Sequence, residues 1–249
     1  MPRVRRQISE SGYYHVMVRG NARQIIFESD ADRRFFLGLL KKSMEGTSVS
    51  VLAWCLMDTH VHLLISDPAQ NLSLMMKRLL SQYARYFNAL ADRVGHVFQD
   101  RFLSIPVETD RYLLEAARYI HRNPVRGCLC SNPGDYEWSS YREYLVGRGI
   151  AETETVLDML GGLREFIAYH ESDGMYVPRF AKRISADDMI ALAKTITGLD
   201  DLHVIGTLTV QRRNGFLALL RSAGLSCRQI EHLTGVARGI VQDVRPSPA

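Results

Sequence analysis

Asp58-Thr59-His60-Val61-His62-Leu63-Leu64-Ile65 decides how this chain is read. It follows a second apolar run, Val49 to Leu56, across the short turn Met57-Asp58-Thr59. Two such runs joined by a short turn predict a β-hairpin. Successive side chains of a strand point to opposite faces. His60, His62 and Leu64 therefore share one face, and Val61, Leu63 and Ile65 point the other way, into a core. Neutral imidazole is a common ligand of divalent metals, so two on one sheet face can grip one ion. Alone, a His-x-His pair is weak evidence, and two half-exposed histidines in a strand is the plainer reading. The rest of the chain has to decide between them.

On either side of the hairpin, strands and helices alternate. Tyr13 to Arg19 reads as a first strand, closed by Gly20-Asn21. Asp30 or Asp32 caps a helix through about Met44, with Phe35, Phe36, Leu39 and Leu40 on its apolar face. Ser73 to Ala91 is a long helix, and Gly95 to Val107 is a further strand region. Asp110 caps a helix that ends at Asn123-Pro124, since proline disfavours helix at the residue before it. The order strand, helix, strand, strand, helix, strand predicts an α+β fold built on a ferredoxin-like, split β-α-β sheet. Two helices cover one face of such a sheet. The added helix over 110–123 is the element available to cross the other face.

Three regions are expected: a core over 1–128, an aromatic and helical extension or connector over 129–180, and an all-α C-terminal domain over 181–249, with a break near Ser172-Asp173-Gly174. In the last region Ser226 caps a helix with Ile230 and Leu233, Thr234-Gly235-Val236 turns, and a second short helix presents Arg238 and Gln242 outward. That is helix-turn-helix patterning, suited to duplex DNA. Residues 1–128 carry 18 Lys/Arg against 12 Asp/Glu, 129–180 carry 4 against 9, and 181–249 carry 9 against 6. Two basic blocks favour a polyanionic partner, although an excess this small decides nothing alone. The four cysteines form no Cys-x-x-Cys pair, which disfavours a disulfide scaffold or zinc ribbon. No apolar stretch approaches the ~20 residues of a membrane helix, and Met1 to Arg6 lacks a secretory apolar region. The expected location is the cytoplasm, in association with the nucleoid.

Helix 110–123 has two faces. Leu113, Ala116, Ala117 and Ile120 make a buried stripe. Glu115, Tyr119 and Asn123, four apart, make a polar one. If the helix lies over the open sheet face, Tyr119 and Asn123 reach the histidine pair. Asn123 then offers an oxygen as third ligand and Tyr119 a phenol beside the ion. A divalent ion that draws on a phosphate oxygen, next to an attacking tyrosine, suits phosphodiester cleavage. The mixed nitrogen and oxygen set suits Mg²⁺ or Mn²⁺. Tyr83, Tyr86 and Tyr112 are weaker rivals for the nucleophile, and His121 is read as a surface or DNA-contacting residue. Arg3, Arg5, Arg6, Lys77, Arg78, Arg118, Arg122 and Arg126 are the expected phosphate contacts.

His60-Val61-His62 followed by Tyr119-Ile120-His121-Arg122-Asn123-Pro124-Val125-Arg126-Gly127 resembles the HUH-superfamily single-tyrosine transposases, and most of all the branch associated with repetitive extragenic palindromes (REP). Tyr14-His15-Val16 with Arg19-Gly20-Asn21, Gln99-Asp100-Arg101-Phe102, and Tyr136-Glu137-Trp138-Ser139-Ser140-Tyr141 extend the likeness over roughly residues 10–170. The resemblance implies a metal-dependent transposase or endonuclease acting on single-stranded DNA near hairpins of palindromic repeats. Tyr119 is its nucleophile, joined to a 5′-phosphate; His60 and His62 are its metal histidines; Asn123 stands at the third ligand position. Asp58-Thr59 departs from the Pro-Asn or Pro-Glu often found before the first histidine. Relatives act as monomers or as homodimers, and both remain open. The competing readings are a DNA-binding regulator with an idle nuclease site and a two-histidine hydrolase of small phosphoesters.

Overall fold

Strands β2 (Ser50–Met57) and β3 (His60–Ser66) form the expected hairpin in the computed structural model, which describes residues 7–171, 190, 193–194, 197–222, 225 and 227–244. Met57 pairs with His60 across the two-residue turn Asp58-Thr59, and so short a turn pins the register. β3 pairs on its other side with β1 (Tyr13–Arg19), and β1 pairs with β4 (Leu103–Pro106), all antiparallel. The order β2-β3-β1-β4 is that of the split β-α-β sheet. β4 has four residues, shorter than the strand region expected from 95 to 107. Only an isolated bridge, Gly20 to Phe98, precedes it.

Helices α1 (Asp30–Met44) and α2 (Leu72–Leu90) cover one face. The N-cap of α1 is Ser29, one residue before Asp30 and three before Asp32, the two caps expected, and Asp32 accepts from the Ser29 backbone N–H. Asp32 is thus the closing carboxylate of a capping box and not the cap itself. Val61, Leu63 and Ile65 enter the core on this side with Phe36, Met75, Leu79 and Tyr83. Leu52 and Ala53 both enter the opposite core because a bulge between Val51 and Ala53 shifts the register.

Helix α3 (Asp110–His121) covers the opposite face, with Leu113, Ala116, Ala117 and Ile120 buried against Leu52, Cys55 and Leu64. Its N-cap is Thr109, whose side chain accepts from the Tyr112 N–H. It stops at His121, two residues before the expected end. A separate turn, α4 (Asn123–Arg126), starts at Asn123 with Pro124 in its first turn. Proline lacks the N–H that α3 would need to continue, but is tolerated where a new helix begins.

Helices α5 (Tyr141–Val146), α6 (Glu154–Leu160) and α7 (Leu163–Glu171) pack on the same side, through Tyr141, Tyr144, Val156 and Phe166. The chain at 138–140 lies along the free edge of β2: Leu56 N–H donates to Trp138 O, and Ser140 N–H to Trp54 O. This occupies edge groups that would otherwise be open to pairing with another chain.

The chain divides into two compact units, 1–173 and 174–249. In the second, α8 (Val204–Thr207), α9 (Val210–Ser222), α10 (Cys227–Thr234) and α11 (Arg238–Asp243) enclose Ile205, Leu217, Leu220, Ile230, Leu233 and Val241. Gly235, at φ +70°, makes the turn between α10 and α11 in the left-handed region glycine favours. Arg221 donates to the carbonyls of Val241, Gln242 and Val244, which satisfies the end of α11. The expected break at Ser172-Asp173-Gly174 and the cap Ser226 lie outside the described residues, as do Arg3, Arg5 and Arg6. Among the described residues no helix is long and apolar enough to cross a membrane.

Leu63 is fully buried on a central strand. Leu63→Ala is expected to cost roughly 2–5 kcal/mol, read as a lowered urea midpoint; an unchanged midpoint would contradict this core.

Candidate functional site

Strand alternation and register place the site. On β1, Tyr13, His15, Met17 and Arg19 share a face; His15 pairs with Leu64, Met17 with His62 and Arg19 with His60. Paired residues of an antiparallel ladder project to the same side. That side faces α3, since Leu64 belongs to the α3 core. Three imidazoles therefore cluster under α3. The His60 and His62 rings are 5.1 Å apart edge to face, and those of His15 and His62 are 5.4 Å apart.

Tyr119 is half-buried and meets the cluster from above, with ring centroids 5.5 Å from His62 and 5.7 Å from His15. Asn123 is buried, and its Oδ1 lies 3.3 Å from His60 Nε2. The turn at Arg122 does not break the four-residue spacing, because Arg122 N–H still donates to Arg118 O and Arg126 N–H to Arg122 O. His60, His62, Tyr119 and Asn123 thus come together. Glu115 is drawn away by Arg111, at 2.9 Å.

The donor set fits a divalent ion. Two ligands at right angles around one ion, each at ~2.1 Å, stand about 3 Å apart, close to the spacing of His60 Nε2 and Asn123 Oδ1. Burial holds the His62 imidazole well below its usual pKa, with the charges of His60, His15, Arg19 and Arg126 acting the same way. A neutral imidazole is the form that binds metal. Among the described residues no three His, Cys, Asp or Glu side chains group to hold a metal ion; the Asn123 amide oxygen beside His60 is a further donor that could serve one.

The basic residues divide sharply. The Arg126 guanidinium lies 4.7 Å from the Tyr119 ring centroid. Arg118 is buried, 4.3 Å over the Tyr169 ring, and donates to Tyr169 O. Arg122 donates to His170 O at 2.6 Å. Both arginines thus make contacts that fasten α3 to α7. Lys77 and Arg78 are exposed on α2, on the sheet face opposite Tyr119. Arg238 and Gln242 are exposed, four residues apart on α11. Of the rival tyrosines, Tyr83 is fully buried and donates to Ile26 O, and Tyr86 donates to Asp32. Both belong to the α1/α2 layer.

His121, expected at the surface, is fully buried. His170 donates from Nδ1 to Phe166 O, because a carbonyl can only accept. Its Nε2, 2.9 Å from His121 Nδ1, then accepts, and His121 Nε2 accepts from the Ser140 hydroxyl at 2.8 Å. The two imidazoles and the serine form a satisfied chain that clamps the C-terminal end of α3 between α7 and the 138–140 segment. His15 and Arg19 share the sheet face of this cluster, although the sequence alone assigns neither a site role. The signal lies in Tyr13-Tyr14-His15-Val16-Met17-Val18-Arg19: with Tyr14, Val16 and Val18 facing the core, 13, 15, 17 and 19 form the second face.

Residues 8–123 match the family model described as transposase, IS200 like. Among solved structures, a REP-associated tyrosine transposase bound to a REP hairpin is similar at 18% identity, over 60% of this chain and 88% of that one, with a TM-score of 0.47. A protein of Deinococcus radiodurans R1 assigned as a transposase is similar at 18% identity, over 49% of this chain and 97% of that one, with a TM-score of 0.33. No curated protein matches the chain.

Burial lowers the His170 pKa to about 4 and holds His121 well below its usual value. Both are neutral in the fold, whereas in the unfolded chain they take up protons near pH 6.5. The unfolded state binds more protons below that pH, so stability falls as pH drops from about 6.5 toward 4, by up to ~1.4 kcal/mol per unit for each histidine. Urea midpoints at pH 7.5 and 5.0 are expected to show this loss, and His170→Gln to reduce it. Equal midpoints at the two pH values would contradict a neutral buried pair.

Proposed function

Because residues 8–123 belong to the IS200-like transposase family, we propose that the chain is a DNA transposase that cuts and rejoins single-stranded DNA near hairpins of palindromic repeats. The observation that carries this reading is the meeting of Tyr119 with His60, His62 and Asn123 on one sheet face. The hairpin substrate follows the resemblance of Tyr119 to Gly127 and its companion motifs to the REP-associated branch.

In the proposed cleavage the Tyr119 oxygen attacks phosphorus. A bond from phosphorus to Tyr119 forms, the bond from phosphorus to the 3′-oxygen breaks, and that oxygen leaves and takes up a proton. The product is a 5′-phosphotyrosine and a free 3′-hydroxyl. The ester conserves the energy of the broken bond, so a 3′-hydroxyl can reverse the step and join strands. His60, His62 and Asn123 would hold Mg²⁺ or Mn²⁺; when bound, such an ion neutralises charge on the phosphate and orients the scissile bond. Arg126 places positive charge beside the Tyr119 ring, where it would attract an incoming phosphate. His121, Arg118 and Arg122 keep Tyr119 in register by fixing α3.

The C-terminal unit is proposed to bind duplex DNA or a hairpin stem. The exposed pair Arg238 and Gln242 beyond the Gly235 turn supports a helix-turn-helix reading of α10 and α11. Arg3, Arg5 and Arg6 are proposed as a basic segment on the DNA backbone. Lys77 and Arg78 stand on the far layer and are not proposed as contacts at the scissile phosphate.

The test is a labelled single-stranded hairpin oligonucleotide with Mn²⁺. The wild-type protein is expected to give a protein–DNA adduct that survives a denaturing gel. Tyr119→Phe is expected to bind the hairpin and give no adduct. An adduct that persists in Tyr119→Phe would refute the nucleophile assignment, and tight hairpin binding without any adduct would favour a regulator with an idle site.

A further inference from the structure

The third imidazole under α3 has no role in the cleavage just described. His15 lies on β1, diagonal to His62 across the β1–β3 ladder, and is fully buried. Its Nε2 stands 3.2 Å from His62 Nδ1, with the rings tilted by 46°. That is a hydrogen-bond distance. His62 is 2% exposed, so the contact is sheltered from water at both ends.

Two neutral rings in such a contact share one proton, and it has two possible positions. If His15 Nε2 carries the proton and donates, then His62 accepts at Nδ1 and must carry its own proton on Nε2. That nitrogen then has no lone pair in the ring plane for a ligand. If His62 Nδ1 carries the proton and donates to His15 Nε2, then His62 Nε2 keeps its lone pair. Only the second arrangement leaves His62 able to ligate through Nε2. The hydrogen bond made by one ring nitrogen decides what the other can do.

We infer that His15 is a positioning residue: it accepts the Nδ1–H of His62, fixes that tautomer and ring orientation, and so presents His62 Nε2 to the metal. This rests on the reading of His60 and His62 as a metal pair. His15 is not read as a third ligand, because its Nε2 is taken up by His62 Nδ1 at 3.2 Å, and among the described residues no three His, Cys, Asp or Glu side chains are placed to hold one metal ion. Its place is behind His62, as the acceptor that metal-bound histidines usually have. His60 differs: its Nδ1 lies 3.1 Å from the Thr59 hydroxyl, which provides the corresponding partner from the turn.

Two measurements test this. In wild-type, metal-free protein, side-chain ¹⁵N NMR is expected to show His62 protonated on Nδ1; protonation on Nε2 would overturn the inference without any variant. Mn²⁺ titration followed by calorimetry or EPR is then compared across variants. His15→Phe keeps the volume and removes the acceptor, and is expected to weaken Mn²⁺ binding about 10–100-fold. His15→Gln retains a carbonyl acceptor and is expected to bind more tightly than His15→Phe. Wild-type affinity in His15→Phe, or equal affinity in the two variants, would overturn the inference while leaving the metal pair intact. Wild type and His62→Ala binding Mn²⁺ alike would instead sink the metal pair, and this inference with it.

Discussion

The packing of α3 across the sheet face that α1 and α2 leave uncovered is the constraint on which the rest depends. His60 and His62 come from β3, Asn123 and Tyr119 from beyond β4, and only this packing joins them. Ala116 and Ala117 are both fully buried against the sheet. Their small side chains let the helix backbone come close, and that brings a tyrosine two residues further along within ring contact of imidazoles rooted in the strands. A larger side chain at either position would lift the helix and with it the phenol.

The far end of α3 is fixed by parts of the chain beyond the family-matched segment 8–123. His121 bonds to His170 and Ser140, Arg118 stacks on Tyr169, and Arg122 donates to His170 O. A buried polar chain with every member satisfied rigidifies its surroundings, and one with a member removed is costly. The stretch from 138 to 171 thus fastens the helix that carries Tyr119, in addition to covering the edge of β2. The cleavage proposed for Tyr119 would tolerate little displacement of its phenol, and on that proposal the buried pair His121 and His170 serves to hold the helix in place.

Much of this was legible in the sequence for reasons specific to particular residues. The alternation in His60 to Ile65 fixes both faces of β3, and the two-residue turn fixes its register. The spacing of Leu113, Ala116, Ala117 and Ile120 names the buried stripe of α3, and the same periodicity puts Tyr119 and Asn123 together. What escaped depends on long-range partners. His121 looked like a surface residue because its acceptor, His170, is 49 residues away. Arg118 and Arg122 read as DNA contacts from sequence because their partners, Tyr169 and His170, lie 51 and 48 residues away. Ser29 caps in place of Asp30 or Asp32, and Thr109 in place of Asp110, since a hydroxyl and a nearby carboxylate are both plausible caps by type alone. The bulge in β2 leaves no mark in an unbroken apolar run.

On the proposed mechanism, the phenol of Tyr119 and a metal held by His60 and His62 would occupy one site. Protein labelled with 3-fluorotyrosine and titrated with Mn²⁺ tests it directly, because a bound paramagnetic ion broadens nearby ¹⁹F resonances steeply with proximity. The Tyr119 resonance, assigned by its loss in Tyr119→Phe, is predicted to broaden at the first Mn²⁺ equivalent, while those of Tyr83 and Tyr86 across the sheet stay sharper, and His62→Ala is predicted to abolish the difference. A Tyr119 resonance that broadens no earlier than those of Tyr83 and Tyr86 would place the metal away from the phenol.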